Sequence, residues 1–411
     1  MIFRMMNRLL IYIKKINAIV NNAIYKIKIY LGFIQVHKIV PLSFIGEKVC
    51  VFQNASLEAL DFIKTYKFIH SGHCIVEFPE IALWRFKNSM AFYGSDFIVC
   101  ENNQAIWPKF YKYNYAKNIV LDKFLVKEEN GYLSIKEPKR IIYLDSVFSL
   151  IGVFSEIWAH SIVEYLPKLS TLESAISDSC SKITILIPEY KDEQLRTIIT
   201  SIIKQYDVNV LVLKPGDVVK AKVLYYMERP TMFTDHETEI TPGDQAIPIS
   251  VIEAIRKYMV IPFVSKSQYN PRYKKIFLIR RGGLGKGIVN SEEIESYFEA
   301  QGFMLLEPHK VSLEEKINIF QSAEIIVGPF GSAFTNLFFC KPGTKVMIFS
   351  NFQRLFEHYF STAQQYFGID IMYVTGYDDK SCENMSHCSF YLPLNKVKAA
   401  LKEFGITEDN E

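Results

Sequence analysis

The sequence predicts an α/β fold built on parallel sheets. Three observations carry this. From Lys275 onward, apolar runs of strand length alternate without interruption with amphipathic helical runs. A second, looser alternation begins near Arg140. Two glycine-bearing loops fall at the carboxyl ends of strands, "RRGGLGKG" after "KIFLI" and "GPFGSAFTN" after "EIIV", the end at which such sheets bind ligands.

The amino terminus is distinct. From Met1 to Gly46 the basic residues are Arg4, Arg8, Lys14, Lys15, Lys26, Lys28 and Lys38, and no acid appears before Glu47. On a helical wheel Arg4, Asn7, Arg8, Lys14 and Lys15 share a face, while Phe3, Met6, Leu9, Leu10, Ile13, Ile16 and Val20 lie mostly opposite. Lys14 and Lys15 interrupt the apolar stretch well short of the roughly twenty residues needed to cross a bilayer. The pattern fits an interfacial helix on an anionic membrane surface. It fits equally a solvated helix packed on its own domain.

Residues from about Val40 to Tyr132 carry short runs such as "CIVEF" and "DFIVC" broken by turn residues, which predicts a strand-rich segment. "RIIYLDS" then reads as a buried strand, and "SEIWAHSIVEYLPKLSTLESAIS" has helical spacing. "KITILIP", a helix from Asp192 to Gln205, "VNVLVL" and "VLYYM" follow. A polar loop, "TDHETEITPGDQAIP", leads to a helix over Ala246–Met259, and "PFVSKSQYNPRYK" is the candidate linker. In the last third, "NSEEIESYFEAQG" is a helix ending at glycine. "FMLLEP" is a strand, and "SLEEKINIFQSA" is a helix whose Ser312 and Glu315 form a capping-box start. "TKVMIFS", "RLFEHYFSTAQQYFG" and "IDIMYV" continue as strand, helix and strand.

Composition narrows the function classes. The 411 residues suffice for two domains, each with its own core. A chain 49% hydrophobic with a net charge of +3 is globular and makes no general case for nucleic acid. Seven cysteines, an odd number without paired spacing, together with no secretory signal, point to a reducing cytoplasm. Metal candidates are poor. "DHETE" (Asp235–Glu239) reads as a solvated turn, as does "HSGH" with His70 and His73. Cys382, His387 and Cys388 are too few and wrongly spaced for zinc. No metal is expected, and no GxSxG or HExxH motif is present.

The two strand-end loops carry the chemistry. Arg280, Arg281 and Lys286 surround Gly282, Gly283, Gly285 and Gly287; guanidinium groups bind phosphate oxygens in pairs, and glycines admit a ligand close to the backbone. The second loop offers a helix N-terminus at Gly331 and Ser332, whose partial positive charge suits an anion. Together they suggest a diphosphate. Neither loop is a Walker A or GxGxxG fingerprint, and "RRGG" alone is equally a solvated turn.

The stretch "FLIRRGGLGKGIVNSEEIE … GFMLLEPHKVSLEEKINIFQSAEIIVGPFGSAFTNLFFCKPGTKVMIF" resembles glycosyltransferase family 61, whose bacterial members are often labelled capsular polysaccharide biosynthesis proteins. Arg280, Arg281, Lys286, Asn290, Glu293, Gly302, Phe303, Gly328, Gly331, Thr335, Asn336, Pro342 and Gly343 fall on the family pattern in order. "IWAHSIVEYLPKL" resembles an earlier family segment, so the likeness runs from about Glu156 to Val374. It implies a GT-B architecture, two Rossmann-like domains facing a cleft. It also implies an inverting transferase that takes a nucleotide-diphosphate sugar, a UDP-sugar first among them. The acceptor would be a saccharide or lipid-linked saccharide of a surface or capsular polysaccharide. The expected boundaries are the basic amphipathic segment over 1–40, an acceptor-side domain over 41–265 and a nucleotide-sugar domain over 266–411. The donor contacts implied are Arg280, Arg281, Lys286, Asn290, Gly328, Phe330, Gly331, Ser332, Thr335 and Asn336. The sequence departs from the pattern at four places. Phe330 stands for the family's His, and Ser332, Ala333 and Phe334 replace "AgL". Ile348 stands where an acid often ends the next strand, and Ile279 replaces a Ser.

Inversion requires a base for the acceptor hydroxyl proton. His160 and Glu164 are spaced i, i+4 on one helical face. The expected base is His160, with Glu164 orienting it or holding sugar hydroxyls. A plain alternative is a histidine hydrogen-bonded at a helix start and a Glu164–Lys168 pair. Two other classes stay open: a non-sugar transferase acting on polysaccharide, and a silent sugar-nucleotide-binding subunit of an assembly complex, the latter suggested by Phe330 and Ile348. The expected location is the cytoplasm, with a peripheral place on the inner face of the cell membrane.

Overall fold

The computed structural model describes residues 20, 22–26, 28, 34–61, 64–65, 73–107, 124–231, 246–264, 270–280, 287–351, 360–378 and 389–406. The fold is mixed α/β, with one large mixed sheet and one parallel sheet. The large sheet has eleven strands. One end of it is formed by β1 (Arg140–Ser149), β2 (Ile183–Pro188) and β4 (Asp217–Met227), with β3 (Asn209–Leu213) at the edge, in the order β3-β2-β1-β4. Every residue of β2 is buried, as its unbroken apolar run requires of a strand covered on both faces. Antiparallel to β4 runs Ile81–Phe92, and through it the strand-rich N-terminal segment joins the same sheet. Strand-rich part and Rossmann-like part therefore share one continuous sheet.

The second sheet has six strands. Its members are β5 (Lys275–Leu278), β6 (Met304–Leu306), β7 (Ile325–Pro329), β8 (Lys345–Ser350) and β9 (Asp370–Thr375), in the order β6-β5-β7-β8-β9, all parallel. A two-residue strand, Lys64–Thr65, adds to β9. That strand comes from the N-terminal half, so the sheet crosses the expected boundary at residue 265. The order places a topological switch point between β5 and β7, whose carboxyl ends carry the two loops singled out in the sequence.

Three expectations are corrected. Residues 34–40, assigned to the amphipathic segment, form a strand, Ile34–Val40, paired with Tyr132–Lys136 and Gln104–Ile106; its buried positions Ile34, His37 and Val40 face the core. The helical run after β1 is not one α-helix. A single α turn (Trp158–His160) passes into a π-helix (Ser161–Tyr165), then a 3-10 segment with Pro167 near its start (Leu166–Thr171), then an α-helix (Leu172–Asp178). Proline lacks the N–H that a continuous α ladder needs there. The helix opening at Gly331 is a 3-10 helix, Ser332–Phe339. Helix α1 (Glu193–Ile203) is N-capped by Asp192, whose Oδ1 accepts from Gln194 N at 2.8 Å. Helices α2 (Ser291–Ala300) and α3 (Leu313–Ser322) flank the second sheet, and Ser312 caps α3 by accepting from Glu315 N at 3.1 Å. The Glu315 carboxylate instead accepts from the Tyr273 hydroxyl at 3.4 Å.

One apolar cluster runs through both halves. Leu166 and Leu169 belong to it with Leu278, Ile317, Phe338 and Phe339. The two sheets thus meet over a shared core. The basic residues and wheel face assigned to residues 1–19, the "DHETE" loop, His70, Cys382, His387 and Cys388, and residues 265–269 of the candidate linker lie outside the described residues, as do Arg281 and Lys286. Among the described residues no helix is long and apolar enough to cross a membrane.

Candidate functional site

A cleft of about 240 Å³ opens at the switch point between β5 and β7. From the second sheet it is lined by Arg280, Gly331, Ser332 and Asn336, and from the first half by Trp158 and Asp192. Arg280 directly follows β5, and its Nη1 donates to the Phe330 carbonyl at 3.2 Å. That contact holds the guanidinium against the turn that opens the 3-10 helix. A Cβ at position 331 would lie 2.3 Å from Arg280 Nη1, so any other residue there would displace the guanidinium from this position. Gly328 has a different reason. A Cβ there would lie 2.7 Å from the Leu278 carbonyl oxygen, so the glycine lets β7 pass close to β5. Burial lowers the pKa of Arg280 below its ordinary value, the signature of a cation held out of bulk water.

The remaining donor-side expectations divide. Ser332 and Asn336 line the cleft. Phe330 contributes its backbone carbonyl while its ring packs on the core. Thr335 is fully buried and is not part of the lining. Asn290 is drawn elsewhere: its Oδ1 accepts from Leu392 N at 3.0 Å, and its Nδ2 donates to the Leu392 carbonyl at 2.9 Å and to Glu293 at 2.8 Å. These bonds fasten the start of α2 to the C-terminal segment. Ile348, read as a strand end, lies inside β8 with no exposed surface, since the strand runs on to Ser350.

Across the cleft, Trp158 Nε1 donates to Asn336 Oδ1 at 3.1 Å. Two residues on, His160 Nδ1 lies 3.0 Å from Glu164 Oε2. Glu164 has no exposed surface, and its Oε2 also accepts from Arg229 Nη1 at 2.8 Å. A carboxylate so enclosed is placed behind the imidazole and has no face to offer a sugar hydroxyl. Arg229 in turn reaches Asp96 Oδ2 at 3.2 Å, and Asp96 Oδ1 accepts from the Tyr165 hydroxyl at 2.9 Å. Lys168, the alternative partner of Glu164, is buried beside Tyr165 with its Nζ 4.9 Å from the ring centroid. Desolvation, opposed first by Asp96, pulls its pKa down to about 8. The π-helix carries Glu164 and Tyr165 into this network; such insertions recur at functional positions. The Phe154 ring lies 5.0 Å from that of His160, and Phe154 adopts φ 62°, a left-handed conformation that a bulky residue holds only under local constraint. His160 itself is 13% exposed and lies outside the lining of the cleft, adjoining it through Trp158.

Sequence reading missed Asp96, Trp158, Arg229 and Lys316. The available signal for Arg229 was a charged pair, Glu228 and Arg229, directly after a parallel strand's carboxyl end. Among the described residues no cluster of three or more His, Cys, Asp or Glu is arranged to hold a metal ion.

The family model described as Glycosyltransferase 61 matches residues 158–347, from Trp158 into β8. The matched span contains both sides of the cleft, and it supports a transferase that acts on sugars. No curated protein matches the chain.

Proposed function

We propose, taking the similarity of residues 158–347 to glycosyltransferase 61 as the premise, that this protein transfers a glycosyl group from a nucleoside-diphosphate sugar to a saccharide hydroxyl with inversion. The observation that carries the reading is the Arg280 guanidinium set against the Phe330–Gly331 turn at a β-sheet switch point, facing Trp158 across the cleft. In this reading the two sheets act as the halves of a GT-B-like enzyme, the second sheet holding the donor.

The displacement is a single in-line step. The acceptor oxygen forms a bond to the anomeric carbon as the bond from that carbon to the diphosphate oxygen breaks, and the electron pair leaves with the diphosphate. Arg280 and the N-terminal N–H groups of the 3-10 helix stabilise the charge that develops there. The acceptor proton goes to His160. Glu164 holds the Nδ1 side of the ring, which leaves Nε2 as the proton acceptor, and Arg229 supplies the counter-charge behind Glu164. The stabilising charges are all side-chain and backbone groups, so transfer is expected to continue in EDTA; complete loss restored by manganese would show a required metal.

The acceptor proposed is a surface or capsular polysaccharide chain, free or lipid-linked, reached from the cytoplasmic side by a peripherally bound enzyme. Seven basic residues before the first acid favour anionic lipid by about 1 kcal/mol for each that reaches the surface. Flotation on anionic liposomes that is unchanged by deleting residues 1–33 would remove the membrane part of the proposal.

The direct test is incubation with a panel of UDP-, GDP-, ADP-, CDP- and dTDP-sugars, following nucleoside diphosphate release. Release from at least one donor is expected. Tight nucleotide binding with no release or transfer would instead favour the silent binding subunit.

A further inference from the structure

Lys316 is a lysine buried at the junction of the two halves, and it lines the same cleft as Arg280, Gly331 and Ser332. It sits in α3, on the second sheet's side, yet its Nζ partners come from the other half. The ammonium lies 3.6 Å from the centroid of the Trp158 ring and donates to Gln194 Oε1. Gln194 is held in turn, its amide nitrogen donating to the Pro308 carbonyl at 3.0 Å and to that of Val311. Among the described residues no carboxylate lies in ion-pair contact with Lys316. Asp192, the acid that acts on it, has its Oδ1 committed to capping α1 through Gln194 N at 2.8 Å and Leu195 N at 3.2 Å.

A cation in this position is costly unless an anion is expected. An ammonium taken out of water without a counter-ion normally neutralises or finds a partner. Lys316 borders a cleft that also holds Arg280, whose side chain, among the described residues, donates to the Phe330 carbonyl. Two desolvated basic side chains and a 3-10 N-terminus around about 240 Å³ outweigh the one acid of the lining, Asp192, which is committed to capping α1. We propose that Lys316 is a further ligand of the donor's diphosphate, and that its ammonium completes its charge by taking a proton from solvent when the diphosphate binds. This rests on the transferase reading above. Burial pulls the pKa of Lys316 down to about 7, with Asp192 acting the other way, so the group is poised for such uptake. The other charged or titratable groups facing the cleft are Asp192, Arg280 and His309.

The experiment is calorimetric binding of UDP, with GDP, ADP, CDP and dTDP as the panel, to the full chain between pH 7 and pH 9. Two buffers of different ionisation enthalpy report the protons exchanged. The nucleotide's own terminal phosphate is already ionised in this range, its second pKa being about 6. For the wild type, proton uptake is expected, with affinity falling up to about tenfold per pH unit above neutrality. Lys316→Met should weaken binding at pH 7 and abolish both uptake and pH dependence. Lys316→Arg keeps the charge and should bind without uptake; it also serves if the methionine variant folds poorly. Wild-type affinity and uptake retained in both variants would overturn the assignment of Lys316 while leaving the transferase reading intact, provided Arg280→Ala still weakens binding. A wild type that binds none of the five nucleotides would overturn the transferase reading itself, and this assignment with it.

Discussion

Trp158 and Asn336, 178 residues apart in the chain, are joined by a hydrogen bond of 3.1 Å from the indole Nε1 to the amide oxygen. The bond ties the turn that carries His160 to the 3-10 helix that follows Gly331. Asn336 completes its geometry by donating to the Ala333 carbonyl at 2.8 Å, so its oxygen is fixed toward Trp158. Trp158→Phe should leave that buried oxygen unsatisfied and lower stability by about 1–3 kcal/mol. Urea unfolding of the two proteins measures it, and equal midpoints would show that the bond does not hold the halves together.

Arg280→Ala is expected to weaken nucleoside-diphosphate binding by about 1.5–3 kcal/mol, the range for a hydrogen bond to a charged group. The fold should be unaffected, because the side chain's hydrogen bond is to a carbonyl at the rim of the cleft. Calorimetry with UDP and the rest of the panel decides, and unchanged affinity would place the diphosphate elsewhere.

His160→Ala should lower kcat by on the order of a hundred- to ten-thousand-fold while donor affinity stays nearly constant. Glu164→Gln should lower kcat less, since it alters the orientation and charge behind the ring and not the proton acceptor itself. If Glu164→Gln abolishes turnover and His160→Ala retains it, the carboxylate is the base. Arg229→Met is the companion experiment: it leaves Glu164 and Asp96 buried without their cation, which should cost about 3–5 kcal/mol of stability.

A pH effect is expected far from the cleft. His37 is buried in the strand Ile34–Val40, and neither ring nitrogen has a hydrogen-bond partner among the described residues. Burial lowers its pKa, so the folded state binds its proton less well than the unfolded chain does. Its contribution is therefore fully present above the unfolded value of about 6.5 and is lost as pH falls below it, by up to about 1.4 kcal/mol per unit. His37→Phe should flatten the acid limb of a urea-midpoint profile between pH 7.5 and pH 5. Identical profiles would show that His37 is not the group that titrates.

What the sequence determined by itself was local. Strand and helix periodicities from Lys275 onward reproduce β5 through β9 closely, because a period of two or 3.6 is written in neighbouring residues. The Ser312 cap, the glycine after Gln301 and the two strand-end loops were legible for the same reason. So was the His160–Glu164 pair, which needs only helical spacing. Tertiary structure decided which faces meet. An apolar stripe shows that a face is buried without showing against what, so the sequence could not place β5 beside β7, or fuse the strand-rich segment with β4 into one sheet. It was equally silent on charge. Arg229 and Lys316 look like surface residues in a linear text. Only the fold brings Arg229 to Glu164, and only the meeting of the two halves sets Lys316 between Trp158 and Gln194. Desolvation depends on what surrounds a group in space, and that is where this chain's candidate chemistry was decided.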